Sequence, residues 1–411
     1  MIEKMTMSLT DMAHGGYAIG RNKQNQVVFV HGGIPGEKVE VELLPKKKKV
    51  RYGRILHVIK SSPERKKSPY PNIGPHGGFA YQHMEYRLQL RLKEAVVTDQ
   101  LRRIGGIQKI RVPRCIGSPE EWGYEYDVTL SPTASGRFGF WSPADGRVLE
   151  TDGYPSLAPM LRNAIESFDF ELPDLRKLSI RMGSDKEVLI AFEIQDMEPP
   201  ELLVDIPISA ALVLPDRTAA NLIGETHIIR QIEGHLFKLP AGCRFPSNLS
   251  IAPLLIDLLK AEYKKSGVNR AIVLYDDVGL LTAFLAPLSE EVITIDPNPD
   301  GIDAAAANLE ETENVSLYQG FAEEALPSIS VAEKTALILN DPPKGLNPEL
   351  IESISQHRFK ELIYISHDLA TFARDTKALK KNGYWLSTVQ PFDMLPQTFH
   401  ITILGRFRHR K

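Results

Sequence analysis

The sequence predicts an α/β protein with a small N-terminal β-barrel, a central α+β domain and a C-terminal parallel sheet covered by helices on both faces. Short β-rich runs separated by turn residues fill roughly the first 60 positions. From Leu249 onward the hydrophobic period alternates between helix and strand. A length of 411 residues suits several domains, and we expect them at 1–65, 66–235 and 236–411.

The first part combines barrel-like strands with a basic charge. Its runs MTMSLT, GGYAIG, QVVFVHGG, KVEVELLP and RYGRILHVIK read as strands. Residues 1–67 hold 14 Lys and Arg against 6 Asp and Glu, a net +8, whereas the other 344 residues hold 35 against 46, a net −11. This asymmetry favours an anionic polymer as partner. The candidate contacts are Lys46, Lys47, Lys48, Lys49 and Arg51, and a solvated hairpin end is an equally good interpretation of the lysine run.

The middle of the chain begins after the proline-rich segment SPERKKSPYP, which reads as a linker. Apolar residues recur at helical spacing from Tyr81 to Ile104, and the glycines at 105 and 106 end that pattern. Strand candidates follow at 124–130, 178–181, 188–194 and 210–214. The region is therefore expected to form an α+β domain.

The last part reads as successive βαβ units. Its strand candidates are AIVLY, EVITID, VSLYQ, ALILND and ELIYIS, each followed by a helical pattern, and two strands close the chain. Ligands of such sheets bind beyond the carboxyl ends of the strands, so we expect the chemistry in the loops that follow these runs.

Composition excludes several classes of protein. Cys115 and Cys243 are the only cysteines, so no disulfide framework and no site with three or four thiolates can form. No stretch approaches the roughly 18 to 20 apolar residues of a membrane span, and the N-terminus lacks the apolar core of a secretory signal. We expect a cytoplasmic protein without a membrane partner; the sequence does not reveal its oligomeric state.

Three motifs carry a family resemblance. They are NDPPKGLNPELIESI at 340–354, IYISHDLATFARDTKALKKNGY at 363–384 and VQPFDMLPQTFH at 389–400. With the domain order, they resemble the S-adenosylmethionine (SAM)-dependent RNA (uracil-5-)methyltransferases. The resemblance implies an OB-like TRAM barrel, a central domain and a Rossmann-like class I methyltransferase domain, with SAM as cofactor and rRNA or tRNA as partner.

The resemblance also implies a mechanism whose key residues are replaced here. In the family a Cys thiolate adds to carbon 6 of uracil, carbon 5 attacks the methyl group of SAM, and a base removes the carbon 5 proton. The nucleophile position is His367 and the base position is Thr402. Asp341 of the DPP motif is kept and remains a candidate for catalysis and for cofactor binding, although it could equally well only shape a turn.

The cofactor positions change as well. The family motif DLYCGxG matches residues 273–279, where Val273 replaces the acidic residue, Asp277 replaces a glycine and Gly279 is kept. Asp296 stands where a carboxylate holds ribose hydroxyls. Pro246 replaces a Gln that contacts SAM in the family, but Asn248 is kept. The candidate cofactor residues are therefore Gly279, Asp296, Asp341 and Asn248.

The iron–sulfur site of many bacterial members is not expected here. Its cysteine positions match Tyr70, His76, Phe79 and, in the central domain, Tyr154. Aromatic residues at these positions indicate that packing fills the space of the cluster. We expect no cluster and no metal.

Three functions remain open on this sequence. The favoured one is an RNA-binding member of the family with lost or strongly reduced catalysis. The second is an active RNA methyltransferase that gives His367, Asp368 or Asp341 new roles. The third reads NDPP as an amino-methyltransferase motif acting on a flipped base, although Lys344 stands where those enzymes place an aromatic residue. His83 is expected to be structural, His400 to be a packed strand residue, and Cys243 to be a buried, unreactive thiol.

Overall fold

The fold was analysed in a computed structural model of the chain. It describes residues 3–45, 50–70, 79–133, 138–142, 147–150, 153–166, 175–195 and 208–409.

The N-terminal part is a closed five-stranded barrel. Its strands are β1 (Lys4–Ala13), β2 (Tyr17–Arg21), β3 (Val27–His31), β4 (Lys38–Leu43) and β5 (Arg51–Lys60), in the order β1-β2-β3-β5-β4. Val28, Val30 and Ala18 are fully buried inside the barrel, and the residues that alternate with them face outward. The barrel confirms the predicted fold of this part.

The central part is built on a second sheet. Its strands are β6 (Asp127–Pro132), β7 (Phe138–Ser142), β8 (Arg147–Glu150), β9 (Leu175–Met182), β10 (Val188–Ile194), β11 (Ser209–Val213) and β12 (Ala219–Ile223). Their order is β12-β11-β10-β9-β6-β7-β8. A hairpin, β13 (His227–Ile232) and β14 (His235–Pro240), follows. The predicted boundary between 235 and 236 falls within this hairpin, and the division into three domains stays a prediction.

The C-terminal part is a seven-stranded sheet. It contains β15 (Arg270–Leu274), β16 (Glu291–Asp296), β17 (Val315–Gln319), β18 (Thr335–Asn340), β19 (Glu361–Ser366), β20 (Tyr384–Phe392) and β21 (Thr402–His409). The order is β17-β16-β15-β18-β19-β21-β20, parallel except at β21. The strand order reverses between β15 and β18, which makes their carboxyl ends the switch point where such sheets bind ligands.

Eight α-helices lie within the described residues. They are α1 (Tyr86–Arg103), α2 (Pro159–Glu166), α3 (Ala252–Ser266), α4 (Leu280–Leu285), α5 (Pro299–Asn308), α6 (Ala322–Ala325), α7 (Pro348–His357) and α8 (Leu369–Lys381). Asp368 caps α8 by accepting a hydrogen bond from the Thr371 backbone N–H at 2.6 Å. No described helix is long and apolar enough to cross a membrane.

Helix α1 joins the barrel to the C-terminal sheet. One continuous apolar core runs from barrel residues such as Leu9, through Leu92 and Val96 of α1, to Leu337 and Phe372. Although α1 lies in the segment predicted as central, it packs against α8 and β20. The barrel is thereby held next to the ligand-binding edge of the sheet.

Candidate functional site

A cleft of about 350 Å³ opens at the switch point between β15 and β18. Its walls come from the loop before α3, the loops after β15 and β18, and the loop before β21. The residues that carry the argument below are Arg244, Pro246, Asp277, Asp341, His367 and Thr402.

Arg244 spans the switch point. Its Nη1 donates to the carbonyl of Asp341 at 2.9 Å and its Nη2 to the carbonyl of Tyr275 at 3.1 Å, so the guanidinium ties the carboxyl ends of both central strands together. Its Nε donates to the Asp277 carboxylate at 2.8 Å. Burial alone would lower the pKa of Arg244. The Asp277 carboxylate outweighs this effect of burial and raises the pKa of Arg244. The guanidinium is therefore charged and held by three groups of the protein.

Asp277 is buried beneath this arginine. The side chain is 2% exposed, and its Oδ1 accepts from Asn298 Nδ2 at 2.9 Å. Arg217 Nη2 adds a longer contact of 3.4 Å. The backbone of Asp277 has a φ of +48°, a conformation that favours glycine, the family's residue at this position. The change from glycine thus adds a buried carboxylate, and arginines neutralise it.

Asp296, the candidate for ribose hydroxyls, is also covered. The Asp277 backbone N–H donates to its Oδ2 and the Asn298 backbone N–H to its Oδ1, both at 2.8 Å. Burial, and then the nearby charge of Asp277, raise the pKa of Asp296 to about 6. Because the residue is only 1% exposed, its carboxylate stabilises the loop rather than facing the cleft.

The other retained cofactor positions also make structural contacts. A Cβ on Gly279 would come within 2.9 Å of Leu309, so this glycine allows close packing against the helix α5 region. Asn248 is fully buried and donates to Ser118 Oγ at 3.1 Å and to the Met394 carbonyl at 3.0 Å. Of the four candidate cofactor residues, only Asp341 lines the cleft.

The positions of nucleophile and base meet in the cleft. His367 Nδ1 lies 2.7 Å from Thr402 Oγ1, and the Asp341 carboxylate accepts a hydrogen bond from the His367 backbone N–H at 3.0 Å. His400, expected as a packed strand residue, lies just before β21 with an exposed side chain and stacks on Phe399 with ring centroids 4.3 Å apart. An imidazole and a hydroxyl thus meet in the cleft at the two positions that the resemblance assigns to a nucleophile and a base.

The former cluster positions are packed by aromatic rings. Trp122 contacts both Tyr70 and Phe79, with ring centroids 5.1 and 5.6 Å apart, and Tyr154 contacts Phe140. His76 lies outside the described residues. Within them, no group of three or more His, Cys, Asp or Glu side chains could hold a metal ion.

The predicted RNA-contact residues are only partly described. Lys46 to Lys49 lie outside the described residues. Arg51 begins β5, and its Nη1 lies 3.5 Å from the Glu3 carboxylate, with 23% of the side chain exposed.

Comparisons with known proteins agree with this architecture. Residues 3–56 match the TRAM domain. An RNA methyltransferase of Halalkalibacterium halodurans that is itself uncharacterised is 28% identical, with 96% of this chain and 94% of that protein aligned. A second such protein, from Gloeobacter violaceus, is 27% identical over 97% of this chain and 95% of its own length.

A solved structure shares the whole fold. It is the tRNA (uracil-54, C5)-methyltransferase of Pyrococcus abyssi in complex with S-adenosyl-L-homocysteine, with a TM-score of 0.71, 22% identity, and coverage of 98% of this chain and 100% of that one. The barrel and sheet define a TRAM-containing protein with the fold of SAM-dependent methyltransferases. Over nearly its whole length the chain is similar to proteins named RNA methyltransferases, and its fold is that of the Pyrococcus abyssi enzyme.

The residues of the cleft do not match the SAM site that the resemblance implies. Asp296 is covered by the backbone of Asp277, and both oxygens of its carboxylate already accept hydrogen bonds. The Arg244 guanidinium crosses the switch point where the ligand of such a sheet lies. The remaining space is lined by His367 and Thr402 but not by Asp296 or Gly279.

Sequence reasoning missed Arg244 and Arg217. The substitution of Asp277 for a glycine is visible in the sequence, and a buried carboxylate requires a cation. No periodicity identifies which arginine supplies it, since Arg217 and Arg244 lie 60 and 33 residues away along the chain. Cys243, next to Arg244, is fully buried as expected, and burial raises the pKa of its thiol.

Proposed function

We propose that this chain is an RNA-binding member of its family in which uracil-5 methyl transfer is lost or strongly reduced. The observation that carries the proposal is the Arg244–Asp277 ion pair, which closes the switch point of the sheet. A ligand entering there would have to displace a guanidinium held by a carboxylate and two carbonyls. The Asp277 carboxylate is 2% exposed and would lose its shortest ion-pair contact if Arg244 moved away, so the closed arrangement is favoured.

The replaced catalytic residues support the same proposal. A covalent step at carbon 6 needs a good nucleophile, and a thiolate is much better suited to it than an imidazole. His367 Nδ1 is also engaged by Thr402. The Thr402 hydroxyl cannot accept a proton usefully near neutral pH, so neither half of the family's chemistry has its reacting group.

RNA binding is supported by features outside the cleft. The TRAM match covers residues 3–56, the same part of the chain that carries the net positive charge. Relatives aligned over nearly the full length are named RNA methyltransferases. By resemblance, the partner is an rRNA or a tRNA.

The decisive experiment is titration calorimetry of the purified chain with SAM. We expect no measurable binding by the wild type. The double variant Arg244→Gln with Asp277→Gly removes both charges of the ion pair and should gain SAM affinity. Arg217, which also contacts Asp277, is 36% exposed and keeps its hydrogen bond to the Gly242 carbonyl. The matched control is Arg270→Gln, which removes an arginine that is 40% exposed and pairs with Glu290 and Glu291.

Two results would reverse the proposal. Micromolar SAM affinity of the wild type would favour an active enzyme that uses His367, Asp368 or Asp341 in new roles. Transfer of labelled methyl groups from SAM to rRNA or tRNA would do so directly. Absence of RNA binding in a filter assay would remove the RNA-binding half of the proposal.

A further inference from the structure

Four aromatic rings form one surface on the outside of the barrel. Tyr17 of β2 contacts His31 and Phe29 of β3 and Tyr52 of β5, with ring centroids 5.4, 6.3 and 5.3 Å apart. Phe29 and Tyr52 lie 5.8 Å apart. We call Tyr17, Phe29, His31 and Tyr52 the aromatic face. Three neighbouring strands thus contribute rings to a single contiguous patch.

The strand register places these rings on the outer surface. Tyr17 pairs with His31, and Phe29 pairs with Tyr52. The intervening residues Val28 and Val30 are fully buried in the barrel. Because side chains alternate along a strand, the four rings stand on the opposite side, where each is half-buried. The four rings therefore pack against one another on the outside of the barrel and keep part of their surface accessible.

Arginines flank the aromatic face at both ends. Arg54 pairs in register with His31, and Arg21 pairs in register with Val27 at the other end of β3. The Arg54 side chain is 64% exposed while it binds the Glu42 carboxylate at 2.6 Å. Rings between exposed cations match single-stranded nucleic acid, whose bases stack on aromatic side chains while cations follow the phosphates.

The aromatic face also borders the cleft. The turn between β1 and β2 carries His14, whose ring lies 6.2 Å from that of Phe399 in an edge-to-face contact. A Cβ on Gly16 of this turn would lie 3.3 Å from Phe399 Cβ. Phe399 in turn stacks on His400, which lines the cleft. The turn that precedes Tyr17 therefore contacts Phe399, which stacks on a residue of the cleft wall.

From this arrangement we propose that the aromatic face binds single-stranded RNA by base stacking and leads the strand towards the cleft. The inference rests on the proposed function, because it names the surface and the form of RNA through which the chain binds. Duplex RNA is a poor ligand for this face, since paired bases present no free ring surface to Tyr17, Phe29 or Tyr52.

The test measures binding of fluorescein-labelled oligouridine of about 12 nucleotides at several salt concentrations. Phe29→Leu and Tyr52→Leu keep apolar bulk and remove the rings. Each variant removes the stacking partner of one base, so it is expected to weaken binding by about 5- to 150-fold. The slope of log affinity against log salt concentration should stay unchanged. Phe29→Tyr and Tyr52→Phe should restore binding. The control Tyr318→Leu removes a ring of β17 that is 49% exposed, and it should bind as the wild type does.

A second measurement uses the wild-type protein alone. Oligouridine containing 5-bromouridine should crosslink to Tyr17, Phe29 or Tyr52 on irradiation, as identified by mass spectrometry. If the wild type binds oligouridine but the leucine variants bind equally well, or crosslinks fall only elsewhere, the aromatic face is not the binding surface and the proposed function survives. If the wild type binds no RNA at all, both fail. Tighter binding of duplex RNA would also overturn the inference.

Discussion

At the scale of single residues, the proposal of lost methyl transfer depends on His367, Thr402 and Asp277. Their side chains meet at 2.7 Å, and the Asp341 carboxylate still anchors the backbone of the loop. The nearby loop has gained a buried carboxylate at Asp277. A thiolate restored at position 367 would therefore still lack the other parts of the site.

The first prediction concerns that restoration. His367→Cys should not form a stable covalent complex with fluorouracil-containing RNA in the presence of SAM. The thiol can add to carbon 6, but this addition is reversible until carbon 5 takes a methyl group from SAM, and the Arg244–Asp277 pair keeps the switch point closed to SAM. Denaturing gel electrophoresis of the RNA–protein mixture measures the outcome.

The informative control for this variant adds the missing parts. A chain carrying His367→Cys, Thr402→Glu, Arg244→Gln and Asp277→Gly has a nucleophile, a base and an open switch point. Complex formation by His367→Cys alone would show that the cofactor region is accessible and that our interpretation of Asp277 is wrong.

The second prediction concerns the pH dependence caused by His83. The residue is 8% exposed. Burial, reinforced by the charge of Arg65, lowers the pKa of His83 to about 4 from its usual 6.5. Between these values the unfolded state binds more protons, so the free energy of unfolding falls as the pH falls below 6.5. His83→Gln cannot titrate, and from pH 7.5 to pH 5 the wild type should lose about 2 kcal/mol relative to it.

Urea unfolding at the two pH values measures this difference. The control is His57→Gln, which makes the same substitution at an imidazole whose side chain is 78% exposed. Parallel pH dependences of the wild type and His83→Gln would show that His83 is already protonated in the folded chain at pH 5.

At the scale of elements, periodicity predicted most of the strands, but the exact limits of elements depend on contacts distant in sequence. Strand β19 has the predicted limits, whereas α1 starts at Tyr86 instead of Tyr81. The Lys66 backbone donates to the His83 carbonyl, and Gln89 Nε2 donates to the carbonyls of Tyr81 and Met84. These bonds hold 81–84 in a turn. The apolar spacing that predicted a helix there reflects burial of the turn instead.

The ion pair of the cleft could not be predicted in the same way. A residue preference acts locally, but Arg244 reaches Asp277 only because the loop before α3 folds over the end of β15. Single-sequence reasoning identified the position of the change at 277 and lacked its partner. The aromatic face was missed for a related reason, because the parallel pairing of β3 with β5 brings Tyr52 next to Phe29.

The third prediction concerns the lysine run between β4 and β5. If Lys46 to Lys49 contact phosphates, replacing all four by Gln should flatten the plot of log affinity against log salt concentration. The slope should change by up to about 0.7 to 0.9 for each lost contact, because fewer counterions are released from the RNA. Filter binding at five salt concentrations measures the slope.

The control replaces four exposed lysines of the C-terminal part, Lys264, Lys265, Lys334 and Lys360, by Gln. It makes the same change in net charge at a distance from the barrel. Equal slopes for the lysine-run variant and the wild type would show that the run is a solvated hairpin end that does not contact phosphates. This result would leave the stacking inference intact, since stacking changes affinity without changing the slope.

At the scale of the whole molecule, the barrel is bound to the rest of the chain by a buried ion pair as well as by the shared core. Arg65, beyond the end of β5, donates through Nε and Nη2 to the Glu37 carboxylate at 2.6 and 2.7 Å and through Nη2 to the Gly32 carbonyl. The Glu37 side chain is fully buried. Burial alone would raise the pKa of Glu37, but Arg65 and the Ser62 N–H outweigh it and lower this pKa.

The last prediction follows from that contact. Arg65→Met leaves the Glu37 carboxylate buried without its cation, which typically costs about 3–5 kcal/mol. Because Glu37 lies between β3 and β4, and Arg65 also binds the Gly32 carbonyl after β3, the loss of stability should be concentrated in the barrel. Hydrogen exchange of peptides from β1–β5 should become roughly 150- to 5,000-fold faster, whereas peptides from β15 and β18 should keep more of their protection.

A matched arginine separates this role from a general effect of charge. Arg91 binds Glu64 at 2.6 Å as closely as Arg65 binds Glu37, but its side chain is 56% exposed, so Arg91→Met should cost at most about 1 kcal/mol and leave barrel exchange nearly unchanged. If Arg65→Met speeds exchange equally in β1–β5 and in β15 and β18, the shared core makes barrel and sheet one cooperative unit. The aromatic face lies on this barrel. If exchange in Arg65→Met is faster in β1–β5 than in β15 and β18, this variant should therefore also bind single-stranded RNA more weakly, even though Arg65 contributes no ring to the face.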